Sequence, residues 1–441
     1  MKGAQRRTAG ELPEGAPARR RIARHLADPL YLTGYYLILG TGVSGVLGLA
    51  FWGVAALEYP PEVVGLNSAV ISAVTLVSGV GTLGLSAVLV RYLPIAGRSA
   101  RSLTLRSYAL TFALSLVLGL AAALSSALWA PSLDFLNDGW WLAGFTLAVA
   151  LTTIFTLQDA VLTGLRAAKW IPLENSLFSL AKLVLLFGFV AALPDSGPFA
   201  AWSVPLLAAV GLVTLLIFRR LLPLRREEGT VDRRQMVDMA AGNYAGMLFD
   251  LAATFFLPIL VANLTNPTQT AYFFIPWMTS IAIELVALSM MTSLTVEAAA
   301  NLDSLRDLAR RSLRHSLLLA AVLAAAMAAL GPLLLQFFGD GYADSGTTLL
   351  WLLAAGQIPN VVVVLGITIA RIQHRGRTVL VVLAAQATMV IALSTELIET
   401  MGIEGVGIAW TATQSALAVV LLATLLRPVL FEGGRGQAPG A

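Results

Sequence analysis

The 441-residue sequence contains no cysteine, which removes disulfides, thiolate metal sites and cysteine nucleophiles together. Histidine is nearly absent as well. His25, His315 and His374 each stand beside an arginine at the edge of an apolar stretch, so they offer neither a metal-ligand cluster nor a histidine-based triad. Charge is scarce, at 12% of residues against 57% hydrophobic, and mean hydropathy is +0.79. A soluble chain of this length does not have that composition, and the sequence reads as an integral membrane protein. No soluble catalytic motif is present. The glycines of Gly40 to Gly45 fall inside an apolar run, where they permit close helix packing and form no phosphate loop. The expectation is a protein that is not an enzyme and carries no cofactor.

What is present is a series of apolar stretches at 29–56, 63–90, 107–130, 140–164, 172–193, 199–218, 238–263, 269–295, 314–337, 346–370, 378–396 and 404–426. Each is long enough to cross a bilayer as a helix, so the predicted fold is all-α and polytopic, with twelve transmembrane helices. The net charge of +4 suggests nucleic acid only until the bases are mapped onto this plan. Every Lys and Arg except Lys182 then falls on one side: the tail before residue 28, Arg91 to Arg106, Arg166 and Lys169, Arg219 to Arg234, Arg306 to Arg314, Arg371 to Arg377, and Arg427 and Arg435. The positive-inside rule makes that side cytoplasmic, with both termini on it and no role for nucleic acid. The opposite loops hold acids and neutral residues, among them Glu58, Glu62, Asp134, Asp138, Asp195, Asp340 and Glu404. No secretory signal is apparent, because the first apolar run is too long for one.

The chain repeats itself at an offset of 206 to 208 residues. Gly197-x-x-x-Ala201-Trp202 matches Gly405-x-x-x-Ala409-Trp410, Leu105-Arg106 matches Leu313-Arg314, and Pro61 matches Pro267. Six spans per half is an even number, so both halves enter the membrane alike and their pseudo-twofold runs along the membrane normal. The expected organisation is a tail over 1–28, an N-lobe over 29–218, a basic linker over 219–237, a C-lobe over 238–426 and a second tail over 427–441. Transporters built this way bind substrate between the halves.

Two acids stand out. Asp250 and Glu284 lie on consecutive spans, equidistant from the turn at Asn266-Pro267, so they share a depth of roughly 20 Å from that turn. A carboxylate at that depth is costly and marks a candidate functional site. Asp250 continues a polar stripe with Asn243 and Thr254, and Glu284 follows Ser280 and Trp277. If the stripes face one cavity, the acids share a proton or hold a sodium ion as a coupled pair; otherwise each joins a different helix as interhelical glue. Lys182 is the only mid-membrane cation, and Asp159 lies at its depth on the preceding span. The two form an ion pair, or Lys182 contacts a substrate phosphate and Asp159 holds it when the lumen is empty. Arg91, at a cytoplasmic mouth, and Asn67, placed like the polar groups of the second-half hairpin, complete the candidate substrate contacts. Arg24, Arg166, Arg233, Arg234 and Arg371 stand at further mouths, where setting topology and binding anionic lipid heads are the simplest roles. Tyr35 and Tyr36 suit interfacial anchoring.

The stretch from Leu47 to Pro94 (LGLAFWGVAALEYPPEVVGLNSAVISAVTLVSGVGTLGLSAVLVRYLP) resembles the first hairpin of bacterial polysaccharide-export flippases, of the O-antigen type found in lipopolysaccharide biosynthesis. These belong to the multidrug, oligosaccharidyl-lipid and polysaccharide exporter superfamily. LQDAVLTGLRAAKWIPLENSLFSLAKL from Leu157, FGDGYADSGTTLLWLLA from Phe338 and GIEGVGIAW from Gly402 extend the resemblance over nearly the whole chain. It implies two six-helix lobes forming a V in the bacterial inner membrane, alternating access, and a polyprenyl-diphosphate-linked oligosaccharide carried to the outer leaflet. It implies a lumen lined by spans 1, 2, 7 and 8, and a polysaccharide polymerase and glycosyltransferases as partner enzymes. Such flippases usually carry several lumen cations, whereas this chain has only Lys182 at mid-membrane. That departure keeps a cation-coupled multidrug exporter open. A major-facilitator transporter also has six plus six spans, but its loop after span 2 usually carries an Asp, and Arg91 to Arg106 contains no acid. A non-transporting scaffold for glycosyltransferases would leave the buried acids unexplained.

Overall fold

The computed structural model describes residues 29–224, 232–300 and 305–431, which contain helices and no strand. The N-lobe helices are α1 (Pro29–Glu58), α2 (Pro61–Gly81), α3 (Ala100–Leu124), α4 (Gly139–Gly164), α5 (Trp170–Phe189) and α6 (Gly197–Leu216). The C-lobe helices are α7 (Arg234–Leu264), α8 (Pro267–Ala300), α9 (Leu305–Phe337), α10 (Asp340–Ile372), α11 (Gly376–Met401) and α12 (Ile403–Ala423). Among the described residues, ten helices are apolar and long enough to cross a membrane; α1 and α8, with 30 and 34 residues, complete twelve. The two sixes form two lobes related by a pseudo-twofold along the membrane normal. One end of the molecule, here the basic end, carries the Arg-rich loops, and the other, the acidic end, carries Glu58, Glu62, Asp195 and Glu404.

Several boundaries follow from single residues. Pro61 and Pro267 open α2 and α8, where a missing N–H costs nothing, and Asn266 Oδ1 caps α8 by accepting from Gln269 N at 2.9 Å. The second span departs from expectation. One run at 63–90 was expected, but α2 stops at Gly81, Leu83 and Gly84 take φ of 52° and 67°, and a short helix, Leu85–Tyr92, leaves at a new angle. Gly84 is required twice over, since its backbone is left-handed and a Cβ there would stand 2.9 Å from the Ala240 carbonyl oxygen of α7.

Two interior prolines share one solution. Pro258 offers no N–H to the Thr254 carbonyl four residues back, α7 widens into a π turn over Ala252–Phe256, and Trp277 Nε1 of α8 donates to that carbonyl at 3.2 Å. In α9, Pro332 frees the Ala328 carbonyl, and Trp351 Nε1 of α10 donates to it at 3.1 Å. Each indole thereby ties its own helix to the interrupted neighbour.

The lobes meet closely at the acidic end. A single apolar cluster there joins Phe51, Val64 and Ala73 of the N-lobe to Ile259, Phe274 and Phe338 of the C-lobe, and Trp52 meets Phe274 edge to face at 4.6 Å. Lipid tails are as apolar as these side chains, so close packing holds the seam. Gly65 of α2 lies so near Pro267 that a Cβ would collide with the Pro267 carbonyl. Polar bonds cross the seam too: Asn263 Oδ1 accepts from Ser132 Oγ at 2.7 Å, and Thr268 Oγ1 donates to Glu62 Oε1 at 2.9 Å. Glu62 and Thr268 are 206 residues apart, the offset of the internal repeat. Toward the basic end, Tyr244 OH of α7 donates to the Val80 carbonyl of α2 at 2.7 Å, while Leu288, Thr292, Thr295 and Glu297 of α8 are exposed.

Candidate functional site

Asp250 sits just before the π turn of α7, near the middle of a 31-residue span, yet its side chain is exposed. Open space therefore reaches it. Its charge interacts with the Arg371 guanidinium at the basic end of α10 and with the carboxyl of Glu284, which is half-buried on α8. Glu284 interacts with Asn360 of α10, whose Nδ2 donates to Gln357 Oε1 at 2.9 Å. Behind them, Gln357 Nε2 and both amide atoms of the fully buried Gln414 on α12 have no protein partner. The arrangement is a pair of carboxyls held by α7 and α8, with one Arg and one Asn supplied by α10. The geometry suits binding a small cation or proton on one side and an anion at Arg371 on the other.

The hairpin spacing thus brings Asp250 and Glu284 into mutual reach. The Asn243 side chain lies outside the described residues, as do those of Tyr35, Tyr36 and Arg233 and the tail containing Arg24. Arg91 ends the short helix Leu85–Tyr92, exposed, with its guanidinium 5.8 Å from the Tyr92 ring centroid. Asn67 is buried at the acidic end and clamps α2 to α6: Nδ2 donates to Val63 O at 2.8 Å and Asp195 O at 3.0 Å, and Oδ1 accepts from Phe199 N at 3.0 Å. Both amide hydrogens are therefore committed to backbone. Asn67→Leu should orphan the Phe199 N–H and the Asp195 carbonyl and cost about 2 kcal/mol, read as a lower unfolding midpoint in detergent.

Lys182 and Asp159 do not pair. The Lys182 ammonium, on a residue only 8% exposed, lies 5.0 Å from the Phe51 ring and 5.4 Å from the Phe178 ring. Asp159 instead interacts with Asn175, Glu174 and Tyr108. Equal distance from Trp170 suggested one level, but the turn occupies 165–169, so Glu174 comes level with Asp159 while Lys182 lies two turns deeper, beside Phe51 of α1. Sequence reasoning missed Asn360, Glu174 and Tyr108. Asn360 follows Pro359 inside a long apolar helix and carries no charge to mark it. Glu174 stands one turn into α5, where a charge near the membrane surface is ordinary.

These features define a two-lobed, twelve-helix membrane fold, and solved structures share it. The inward-facing conformation of a multidrug resistance MATE family transporter of the MOP superfamily superposes with a TM-score of 0.68 at 16% identity, over 88% of this chain and 94% of that one. An outward-facing conformation described in the same terms gives 0.62 at 17% identity, over 91% and 96%. A MOP superfamily transporter from Pyrococcus furiosus, whose binding pocket of reverse polarity suggests a different function for it, gives 0.62 at 15% identity, over 91% and 96%. At such identities the likeness is one of fold. No protein-family model matches the sequence, and no curated protein matches it.

Proposed function

We propose that this protein is a membrane transporter of the bacterial inner membrane working by alternating access, with the basic end cytoplasmic. Its substrate is an anionic lipid, a polyprenyl-diphosphate-linked oligosaccharide moved to the outer leaflet, and Asp250 with Glu284 couples that movement to a proton or sodium ion. The observation that carries this reading is a mid-span carboxylate reached from open space and interacting with both a second acid and an arginine, in a molecule whose acidic end is sealed by both lobes. Arg371 favours an anionic substrate over a cationic drug. With the acids empty, Asp250 holds Arg371; once a cation occupies them, Arg371 is released to a diphosphate. Lys182, with no carboxylate partner among the described residues, is the second phosphate contact.

The alternative is a cation-coupled multidrug exporter, favoured by the solved structures whose descriptions name multidrug resistance. Proteoliposomes decide between them. Flipping of a fluorescent polyprenyl-diphosphate oligosaccharide, stimulated by a proton or sodium gradient, supports the flippase; uptake of cationic dyes with no flipping supports the exporter. Lys182→Met keeps the side-chain volume and removes the charge. The expected outcome is an unchanged unfolding midpoint with roughly tenfold slower flipping; unchanged flipping with poorer assembly would remove Lys182 from the substrate path.

A further inference from the structure

The N-lobe holds a second cluster of acids, which the transport reading leaves unused. Asp159 lies five residues from the basic end of α4 and Glu174 four residues into α5, so both stand roughly 6 to 8 Å inside the lobe. Glu174 is 6% exposed, and neither of its carboxyl oxygens has a hydrogen-bond partner. Asp159 Oδ1 has none either. A third group points in from α3: Tyr108 is 7% exposed, its hydroxyl is unpartnered, and it interacts with both acids. Buried polar atoms are rarely left in this state, so four unpartnered oxygens in one place call for something to fill them.

Among the described residues, the surrounding helices bring no cation to do so. Besides the two acids, α4 carries no charged residue and α5 only Lys182, which is turned to Phe51 and Phe178. Between its ends α1 is uncharged until Glu58, α2 carries only Glu62 at the acidic end, and α6 carries none. Arg101 and Arg106 of α3, and Arg91 of the short helix Leu85–Tyr92, are exposed. So are Arg166 and Lys169 of the turn between α4 and α5, and Arg219 and Arg220 beyond α6. Asn175 is the neutral donor group that interacts with Asp159.

We infer that Asp159, Glu174 and Tyr108 form a proton-binding site in the N-lobe, separate from the Asp250–Glu284 pair, in which one exchangeable proton from water at the basic end is shared between the two carboxyls. One proton closes the hydrogen-bond count. A Glu174 O–H donates to Asp159 Oδ1, the Tyr108 O–H donates to the other Glu174 oxygen, and Asn175 donates to Asp159. All four orphaned oxygens are then paired, and no bond other than O–H is made or broken.

The test needs no transport substrate, so it stands apart from the choice between flippase and exporter. Infrared difference spectra of the full-length protein in nanodiscs, recorded between acidic and alkaline buffer, report protonated carboxyls through their C=O stretch. The expected result is a band that survives in Asp250→Asn/Glu284→Gln, disappears in Asp159→Asn/Glu174→Gln, and shifts in Tyr108→Phe, a change small enough to leave the fold intact. A spectrum unchanged by Tyr108→Phe and by the Asp159/Glu174 double substitution would overturn the proposal. So would loss of the band on adding sodium at constant pH, which would make the oxygens a metal-ion site.

Discussion

Asp250→Asn and Glu284→Gln should each abolish gradient-driven transport, lowering the rate by about 100-fold, with normal amounts of protein in the membrane. Each substitution keeps the shape of the side chain and removes its capacity to carry charge. Asp250 already contacts open space, so its amide leaves no orphaned partner in a packed core. Glu284 interacts with Asn360, and a glutamine side chain in its place offers that neighbour an amide oxygen. What both variants lose is the exchangeable cation. If that exchange frees Arg371, either variant should still bind substrate while failing to respond to an imposed proton or sodium gradient. The measurement is initial flipping rate in proteoliposomes with and without the gradient, beside a thermal unfolding curve. Wild-type rates in both variants would remove the pair from the coupling mechanism, and normal function of the host pathway with both acids neutralised would revive a scaffold that recruits glycosyltransferases.

The second large effect is expected at the acidic end. Gly65→Val places a branched side chain where even a Cβ meets the Pro267 carbonyl and stands 3.0 Å from the Ala271 amide nitrogen. Backbone on the opposite lobe cannot turn aside as a flexible side chain would. Overpacking of this kind costs about 1–3 kcal/mol, so the population closed at the acidic end should fall by about 5- to 150-fold relative to the open form. The cost falls on one conformation, which makes the change visible as a shift in distance. Because the chain lacks cysteine, spin labels attach only where a cysteine is introduced. Asp138→Cys and Asp344→Cys give exposed sites at the acidic end of the N- and C-lobes. Electron–electron resonance between them should show a longer distance in the Gly65→Val background. An unchanged distance distribution would mean that Gly65 and Pro267 do not set closure.

Helix number and placement were legible because apolar length and the one-sided basic residues constrain each other: one span more or fewer would scatter the arginines. The depth of Asp250 and Glu284 was legible from their equal distance to Asn266-Pro267, a turn the structure keeps. Rotation about a helix axis was not. Nor was the place of the turn between α4 and α5: it lies at 165–169, so Lys182 stands twelve residues into α5 and roughly 10 Å deeper than Asp159, which is five residues from its own helix end. The break after α2 was hidden as well, since Gly79, Gly81 and Gly84 are spaced as packing glycines, and of the three only Gly84, following the left-handed Leu83, belongs to the turn. The Trp277 and Trp351 bonds escaped notice because they answer a carbonyl freed by a proline on another helix, a pairing invisible along one strand of sequence.

Glu62 and Thr268 occupy equivalent places in the two repeats and bond to each other. In a symmetric dimer of six-helix subunits, a residue on the axis meets its own copy, so the contact must suit a side chain facing itself. Two glutamates would bring like charges together and two threonines would supply no carboxylate. Joining the halves in one gene lifts that restriction. Each repeat can then be given its own residue at the axis, and the donor set against an acceptor here is a contact that only a fused, unequal pair is able to make.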